Sequence, residues 1–113
     1  MKQSEIWEIN LSPTVGAEIK KKRPAVIIND DSIDVLPLRV IVPITQWKDK
    51  FSGAIWMIRI EQDSQNRLSK LSAIDTFQIR SISTARFIKK VGLISPDILS
   101  EIKTAVKAVI DAD

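Results

Sequence analysis

The apolar residues of this chain occur in short runs that turn-forming residues interrupt, and this spacing constrains the fold more than any other feature. The runs are rich in Ile and Val, and they are separated by clusters of Pro, Gly, Asn, Asp and Ser. Runs of this length and β-branched content are typical of β-strands, because globular helices need longer periodic segments. We therefore predict a mainly β protein built from short strands.

The first strands are predicted at residues 6–11, 24–29, 38–45 and 54–60. In the first of them, Trp7, Ile9 and Leu11 alternate with other residues and share one face. Pro43 places the end of the third strand at an edge or a bulge, since proline cannot donate to a ladder. Trp7 and Trp56 lie within predicted strands, and we expect both to pack in the core.

The second half of the chain ends in a helix. Residues 72–82 have the β-branched content of another strand, and residues 84–88 are predicted to form a helical turn. Ser95 and Pro96 are suited to the N-cap and first helical position. An apolar stripe with helical spacing follows, formed by Ile98, Leu99, Ile102, Val106, Val109 and Ile110. The predicted architecture is one domain over residues 1–113, a small, strongly bent sheet or partial barrel with the helix packed on it.

Composition excludes several kinds of chemistry. The sequence has no Cys and no His, so thiolate nucleophiles, disulfides, Cys/His zinc sites and imidazole acid–base catalysis are impossible. Lys and Arg total 17 against 14 for Asp and Glu, a net charge of +3 that permits a polyanionic partner. There is no apolar run long enough for a membrane span and no signal-peptide h-region at the N-terminus, so we expect a cytoplasmic protein.

Two residues at strand boundaries could hold a phosphate. Arg23 ends a run of four cations and precedes Pro24, which fixes the local backbone, so its planar guanidinium is held by a rigid base. Thr45 ends the third predicted strand, and its hydroxyl could donate to the same phosphate. The alternative interpretation of the cation run is a basic loop that is simply solvated. The alternative for Thr45 is a hydroxyl that only satisfies hydrogen bonding at the end of a strand.

Several blocks of sequence, taken in order, resemble the MazF/PemK (Kid) family of toxin endoribonucleases. The family patterns E-I-W and D-P-T-x-G-x-E are similar to residues 5–18, and R-P-V/A-V-I is similar to residues 23–27. The pattern V-V-P-x-T resembles residues 41–45, and Q-I-R-T-I-D-K-x-R-L-x-x-x-I-G resembles residues 78–92. The terminal helix matches as well, so the resemblance covers nearly the whole chain.

The resemblance implies an SH3-like small barrel of the CcdB/MazF/Kid type with a C-terminal α-helix, assembled as a homodimer. It also implies sequence-selective cleavage of single-stranded RNA, such as mRNA, without a metal or other cofactor, leaving 2′,3′-cyclic phosphate and 5′-hydroxyl ends. A cognate antitoxin would neutralise the toxin, and operator DNA would be contacted only through the toxin–antitoxin complex.

Carried over by position, the resemblance assigns Arg23 and Thr45 as the catalytic arginine and threonine. Glu18 matches the acidic residue of the first loop. Asp75 is the candidate for the second acidic residue of the site. In many relatives this acid directly precedes the Gln, whereas here Thr76 and Phe77 separate Asp75 from Gln78. Arginine stays protonated in proteins, so either carboxylate is the more natural acceptor of the 2′-proton. The candidate RNA-binding residues are Lys20, Lys21, Lys22, Trp47, Lys48, Gln78 and Arg80.

Three points remain open in the sequence. Trp47 could stack on an unpaired base or pack on the barrel. Ala17 replaces a His of some relatives, and Ile19-Lys20-Lys21 replaces the usual Gln-Gly-Gly, which makes the loop more basic. The alternative functions are a non-catalytic CcdB-like toxin that inhibits DNA gyrase by binding, and a relative that has lost turnover; Arg23 together with Thr45 favours the nuclease.

Overall fold

The computed structural model describes residues 1–19 and 21–112, and within them the chain forms seven β-strands and one α-helix. The strands are β1 Glu5–Asn10, β2 Lys22–Ile27, β3 Leu38–Gln46, β4 Met57–Ile60, β5 Ser72–Asp75, β6 Arg80–Ser83 and β7 Phe87–Leu93. The helix, α1, covers Pro96–Val109. Short 3₁₀ turns lie at Asp31–Ile33, Asp49–Phe51, Thr76–Gln78 and Thr84–Arg86.

All strand pairs are antiparallel, in the order β4-β5-β3-β2-β1-β7, with β6 also paired to β3. The long strand β3 organises the sheet. One of its edges pairs with β2, and its other edge pairs first with β6 and then with β5. Because β3 changes partner along its length, the sheet bends strongly, as the sequence predicts.

Apolar side chains are buried on both faces of the central strands. One cluster lies between the sheet and α1, and it includes Ile6, Val26, Val42, Ile74 and Ile102. A second cluster on the opposite face is formed by Ile9, Leu11, Ala25, Ile27, Ile41 and Ile82, with Trp7 packed against it. The shared face predicted for Trp7, Ile9 and Leu11 is therefore confirmed. Since both faces are covered, the central strands consist of nearly continuous apolar residues.

The helix begins and packs as predicted. The Ser95 side chain accepts a hydrogen bond from the Ile98 amide at 3.2 Å, and Pro96 occupies the first helical turn. Ile102 and Ala105 are buried against the sheet. No helix in the described part of the chain has the length and apolar character needed to cross a membrane.

The single strand predicted over residues 72–82 is wrong, because the segment breaks into β5, a 3₁₀ turn and β6. The Asp75 carboxylate accepts a hydrogen bond from the Phe77 amide at 3.1 Å and starts the turn. The Thr76 amide and hydroxyl both donate to the carbonyl of Trp56. Local side-chain hydrogen bonds of this kind compete with a continuing ladder.

Three other predictions in this region of the sheet need correction. Residues 54–56 form a turn instead of the start of β4, because Gly53 has a φ of +85° and the amide of Met57 donates to the carbonyl of Ala54. Trp56 is consequently 40% exposed and not a core residue. Pro43 lies in the middle of the sheet, opposite Ala25 of β2. On the other edge of β3 the ladder with β6 has ended and the ladder with β5 has not begun, so the missing N–H of Pro43 falls outside these two ladders.

Candidate active site

Arg23 lies in β2 and Thr45 in β3, and the pairing of these strands brings the two residues together. The register places Ala25 opposite Pro43. Because the strands are antiparallel, Arg23, two residues before Ala25, and Thr45, two residues after Pro43, lie toward the same end of the β2–β3 pair. Both residues line the same surface depression, whose volume is about 170 Å³.

This depression, which we call the arginine pocket, is cationic. Its lining combines the positively charged side chains of β2 and of the β4–β5 loop with hydroxyl groups from three segments: Lys22, Arg23, Lys70, Thr45, Ser69 and Ser72. No carboxylate is found among the described residues that line it. Cations and hydroxyl donors without a competing acid are the groups that bind a phosphate.

One nitrogen of the Arg23 guanidinium lacks a hydrogen-bond acceptor among the described residues. This nitrogen, Nε, is buried. Leaving a buried donor unpaired is costly, so native structures almost always provide an acceptor for such a group. An anion in the arginine pocket would provide one, and the planar fork of arginine can hold two of its oxygens.

The loop between β4 and β5 completes the arginine pocket, a contribution that is not predicted from the sequence. This loop, residues 61–71, supplies Leu68, Ser69 and Lys70 to the lining. Its shape depends on buried Asn66, which is 1% exposed. The Asn66 amide nitrogen donates to the carbonyl of Glu61 at 2.8 Å, and its oxygen accepts from the amides of Asp63 and Leu68.

The loop is docked onto β7 at Gly92. A Cβ at this position would lie 2.5 Å from the carbonyl oxygen of Asn66 and closer still to that of Gln65, so only glycine fits here. The Leu93 amide also donates to the carbonyl of Gln65 at 2.9 Å. The turn residues of the loop are visible in the sequence, but nothing in the sequence indicates that the loop reaches Arg23.

A second depression, of about 320 Å³, lies beside the first loop; we call it the glutamine pocket. Its described lining is Leu11, Glu18, Ile19, Pro43, Phe77, Gln78, Ile79 and Arg80. The structure therefore places Glu18 with Gln78 and Arg80, in a different depression from Arg23 and Thr45. The Glu18 carboxylate accepts a hydrogen bond from the amide of Val15 at 2.7 Å, and the side chain is exposed.

Asp75 is hydrogen-bonded to Gln78 of the glutamine pocket and is only 4% exposed. Gln78 links it to the first loop, because its amide nitrogen donates to Asp75 at 3.0 Å and its amide oxygen accepts from the Ile19 amide at 2.6 Å. Burial raises the pKa of the Asp75 carboxyl above its ordinary value, and the hydrogen bonds from Phe77 and Gln78 oppose this shift. Gln78 thus connects the Asp75 carboxylate to the first loop.

The remaining candidate RNA-binding residues are dispersed around these depressions. Lys22 lines the arginine pocket, whereas Lys21 and Lys48 are exposed, and Lys20 lies outside the described residues. Trp47 is half-buried, with the Phe51 ring edge-on at 5.8 Å and the Arg59 guanidinium 6.0 Å from its centroid. Of the two interpretations of Trp47, these contacts favour packing.

A family model described as PemK-like, MazF-like toxin of type II toxin–antitoxin system matches residues 2–110. The chain belongs to this family. The endoribonuclease MazF9 of Mycobacterium tuberculosis is 26% identical over 124 aligned residues, which cover 98% of this chain and 97% of the relative. The resemblance found in the sequence blocks is confirmed.

Solved structures of MazF toxins share the fold of this toxin. MazF from Deinococcus radiodurans superposes with a TM-score of 0.81 at 17% identity, covering 98% of this chain and 96% of that one. An endoribonuclease from Mycobacterial species, in complex with its cognate antitoxin, gives a TM-score of 0.80 at 11% identity and covers 100% and 97% of the two chains. The predicted CcdB/MazF-type architecture with a C-terminal helix is thereby confirmed.

Proposed function

We propose that this MazF-type endoribonuclease toxin cleaves single-stranded RNA sequence-selectively in the arginine pocket, without a metal ion or other cofactor. The observation that carries the proposal is the meeting of Arg23 and Thr45 in one cationic depression, where a buried guanidinium nitrogen has no acceptor among the described residues. The products are a 2′,3′-cyclic phosphate and a 5′-hydroxyl end.

The reaction needs no protein nucleophile, because the RNA supplies its own. The 2′-oxygen attacks the adjacent phosphorus, the bond between phosphorus and the 5′-oxygen breaks, and the 5′-oxygen takes up a proton. Negative charge increases on the non-bridging oxygens in the transition state. Arg23, Lys70 and the Thr45 hydroxyl are placed to stabilise it, since all three line the pocket that would hold the phosphate.

Glu18 is the better placed of the two candidate proton acceptors. It is exposed at the surface of the glutamine pocket, where a ribose hydroxyl can approach one of its carboxylate oxygens. The oxygens of Asp75 already accept hydrogen bonds from the Phe77 amide and the Gln78 side chain. We therefore assign proton transfer to Glu18 and a positioning role to Asp75.

The toxin's partners follow from the same proposal. We expect a homodimer, because large apolar side chains remain exposed around residues 33–38, Val35 at 86% among them. We expect a cognate antitoxin to cover the RNA-binding surface, because a structurally similar mycobacterial endoribonuclease is in complex with its cognate antitoxin in a solved structure. Operator DNA would be bound only through that complex, and the site of action would be the cytoplasm, where mRNA is exposed.

Cleavage of a long single-stranded RNA in EDTA tests the proposal. We expect site-specific products with cyclic phosphate ends. Arg23→Ala and Thr45→Ala should each slow cleavage by at least about a hundredfold, the effect of losing one transition-state donor. Both variants should remain folded by circular dichroism, because neither side chain belongs to the two apolar clusters.

Lys103→Ala is the matched control, since it removes a positive charge from the exposed side of α1. It should cleave at the wild-type rate. Normal cleavage by both pocket variants would contradict the site assignment. Intact RNA with the wild-type toxin, together with inhibition of DNA gyrase, would instead support the CcdB-like alternative.

A further inference from the structure

Two aromatic side chains lie exposed at the edge of the glutamine pocket. Phe77 is 64% exposed and lines the pocket, and Trp56 beside it is 40% exposed. Their ring centroids are 6.1 Å apart with an interplanar angle of 68°, an edge-to-face pair. Exposed aromatic side chains are unfavourable in water, so their position beside a polar pocket calls for an explanation.

The chain segments that carry the aromatic pair are held by hydrogen bonds. Thr76 ties the two segments together, because its amide and its hydroxyl donate to the Trp56 carbonyl at 2.9 Å and 2.7 Å. The Phe77 amide donates to the Asp75 carboxylate, which fixes the turn that carries the ring. A ring carried by a fixed turn loses less conformational entropy when a ligand stacks on it than a ring carried by a mobile loop.

The glutamine pocket and the arginine pocket are adjacent along β3. Pro43 lines the first and Thr45 the second, and residues two apart on a strand share a face about 7 Å apart. A single strand of RNA whose phosphate sits between Arg23 and Thr45 would therefore reach the glutamine pocket with a neighbouring nucleotide.

The charges of the two pockets differ in a way that separates phosphate from base. The arginine pocket combines Lys22, Arg23 and Lys70. The lining of the glutamine pocket instead contains one carboxylate, that of Glu18, and one guanidinium, that of Arg80. The glutamine pocket is therefore less positively charged than the arginine pocket, and the Arg80 guanidinium can donate to the ring nitrogens and carbonyls of a base.

We infer that Phe77 is a stacking platform for one unpaired base next to the cleaved bond, and that Arg80 contacts the edge of that base. The Trp56 ring packs against the Phe77 ring in this edge-to-face pair. Single-stranded RNA is recognised in this way, by stacking on aromatic rings and by hydrogen bonds to exposed base edges. The inference rests on the proposed function, which supplies the phosphate that sets the position of the strand.

The test measures binding of an oligonucleotide that spans a mapped cleavage site and carries a 2′-deoxy sugar there, so that it cannot be cleaved. Phe77→Ala should weaken binding about 5- to 150-fold, the loss expected for one stacked base. Phe77→Leu keeps an apolar side chain without a ring and should bind as weakly as Phe77→Ala. Phe77→Trp should bind like the wild type. Ile110→Ala, which removes an exposed apolar side chain from the end of α1, should have no effect.

A scan of abasic nucleotides identifies the stacked base. One abasic position should weaken binding to the wild type and have no further effect on Phe77→Ala. Equal binding by the wild type, Phe77→Ala and Phe77→Leu would overturn the inference and leave this face for a protein partner. If the wild type cleaves RNA while these variants bind normally, only the stacking platform fails; a wild type that neither binds nor cleaves RNA removes both proposals.

Discussion

Gln78 shows how single side chains connect the parts of the site. Its amide oxygen and nitrogen have different partners, the amide of Ile19 and the carboxylate of Asp75. One partner is a donor and the other an acceptor, so the orientation of the side-chain amide is fixed. Through this residue the first loop, which carries Glu18, is tied to the turn that carries Phe77.

Replacing Gln78 by Met tests this connection at nearly constant volume. Gln78→Met leaves the Ile19 amide and one Asp75 oxygen without their partners, and it should lower the free energy of unfolding by about 1–3 kcal/mol. Urea unfolding at neutral pH measures the change. Gln65→Met, at an exposed side chain, should change stability by less than about 0.5 kcal/mol. Equal stability of both variants and the wild type would show that the two hydrogen bonds of Gln78 do not contribute to the free energy of unfolding.

At this scale the sequence predicts some residues of the candidate site and not others. Arg23 and Thr45 could be predicted because strand ends and a rigid proline limit where their side chains lie, and the family resemblance named both. Ser69 and Lys70 could not, because only the folded path of their loop brings them to the arginine pocket. The β-branched residues around Phe77 predict a strand, because the sequence does not show that the Asp75 carboxylate starts a turn at this point.

Among the elements, the loop of residues 61–71 depends most on its surroundings. The β-branched runs of the sequence predict most of the strands, since that signal is local. The docking of this loop on β7 is a long-range contact, and it requires the absence of a side chain at Gly92. A missing side chain leaves no periodicity in the sequence from which the contact could be predicted.

Gly92→Ala should displace the loop and with it the Ser69 and Lys70 groups of the arginine pocket. We expect cleavage to fall about 10- to 100-fold, the cost of moving positioning groups by about 1 Å. The free energy of unfolding should fall by about 1–3 kcal/mol, as for other overpacked sites. Cleavage rates and urea unfolding, measured on the same preparation, report both effects.

Gly53→Ala separates the loss of stability from the loss of positioning. Gly53 has a φ of +85°, and a Cβ at this position would have no heavy atom within 4 Å, so alanine there is strained without pushing on the β4–β5 loop. It should lose stability and still cleave at close to the wild-type rate. If Gly92→Ala also retains full activity, the loop does not position the catalytic groups.

For the whole molecule, stability depends on closing β1 between β2 and β7, since both apolar clusters contain residues of β1. Glu5 strengthens this closure. Its carboxylate accepts hydrogen bonds from the Trp7 indole at 2.9 Å and the Lys2 amide at 3.1 Å, and it pairs with the Lys90 ammonium of β7 at 3.3 Å. Desolvation opposes ionisation, but these contacts together lower the pKa of Glu5 from 4.5 to about 2.

The lowered pKa of Glu5 predicts how stability depends on pH. The folded chain holds this proton less tightly than the unfolded chain, so the contribution of Glu5 is complete above about pH 5 and is lost as the pH falls toward 2. Glu5→Gln should therefore be about 2–3 kcal/mol less stable than the wild type at pH 7, and the difference should shrink steadily by pH 3. Urea unfolding from pH 7 to 3 measures it. Glu61→Gln, which removes an exposed pair with Arg59, should follow the wild type throughout, and parallel wild-type and Glu5→Gln curves would contradict the assignment.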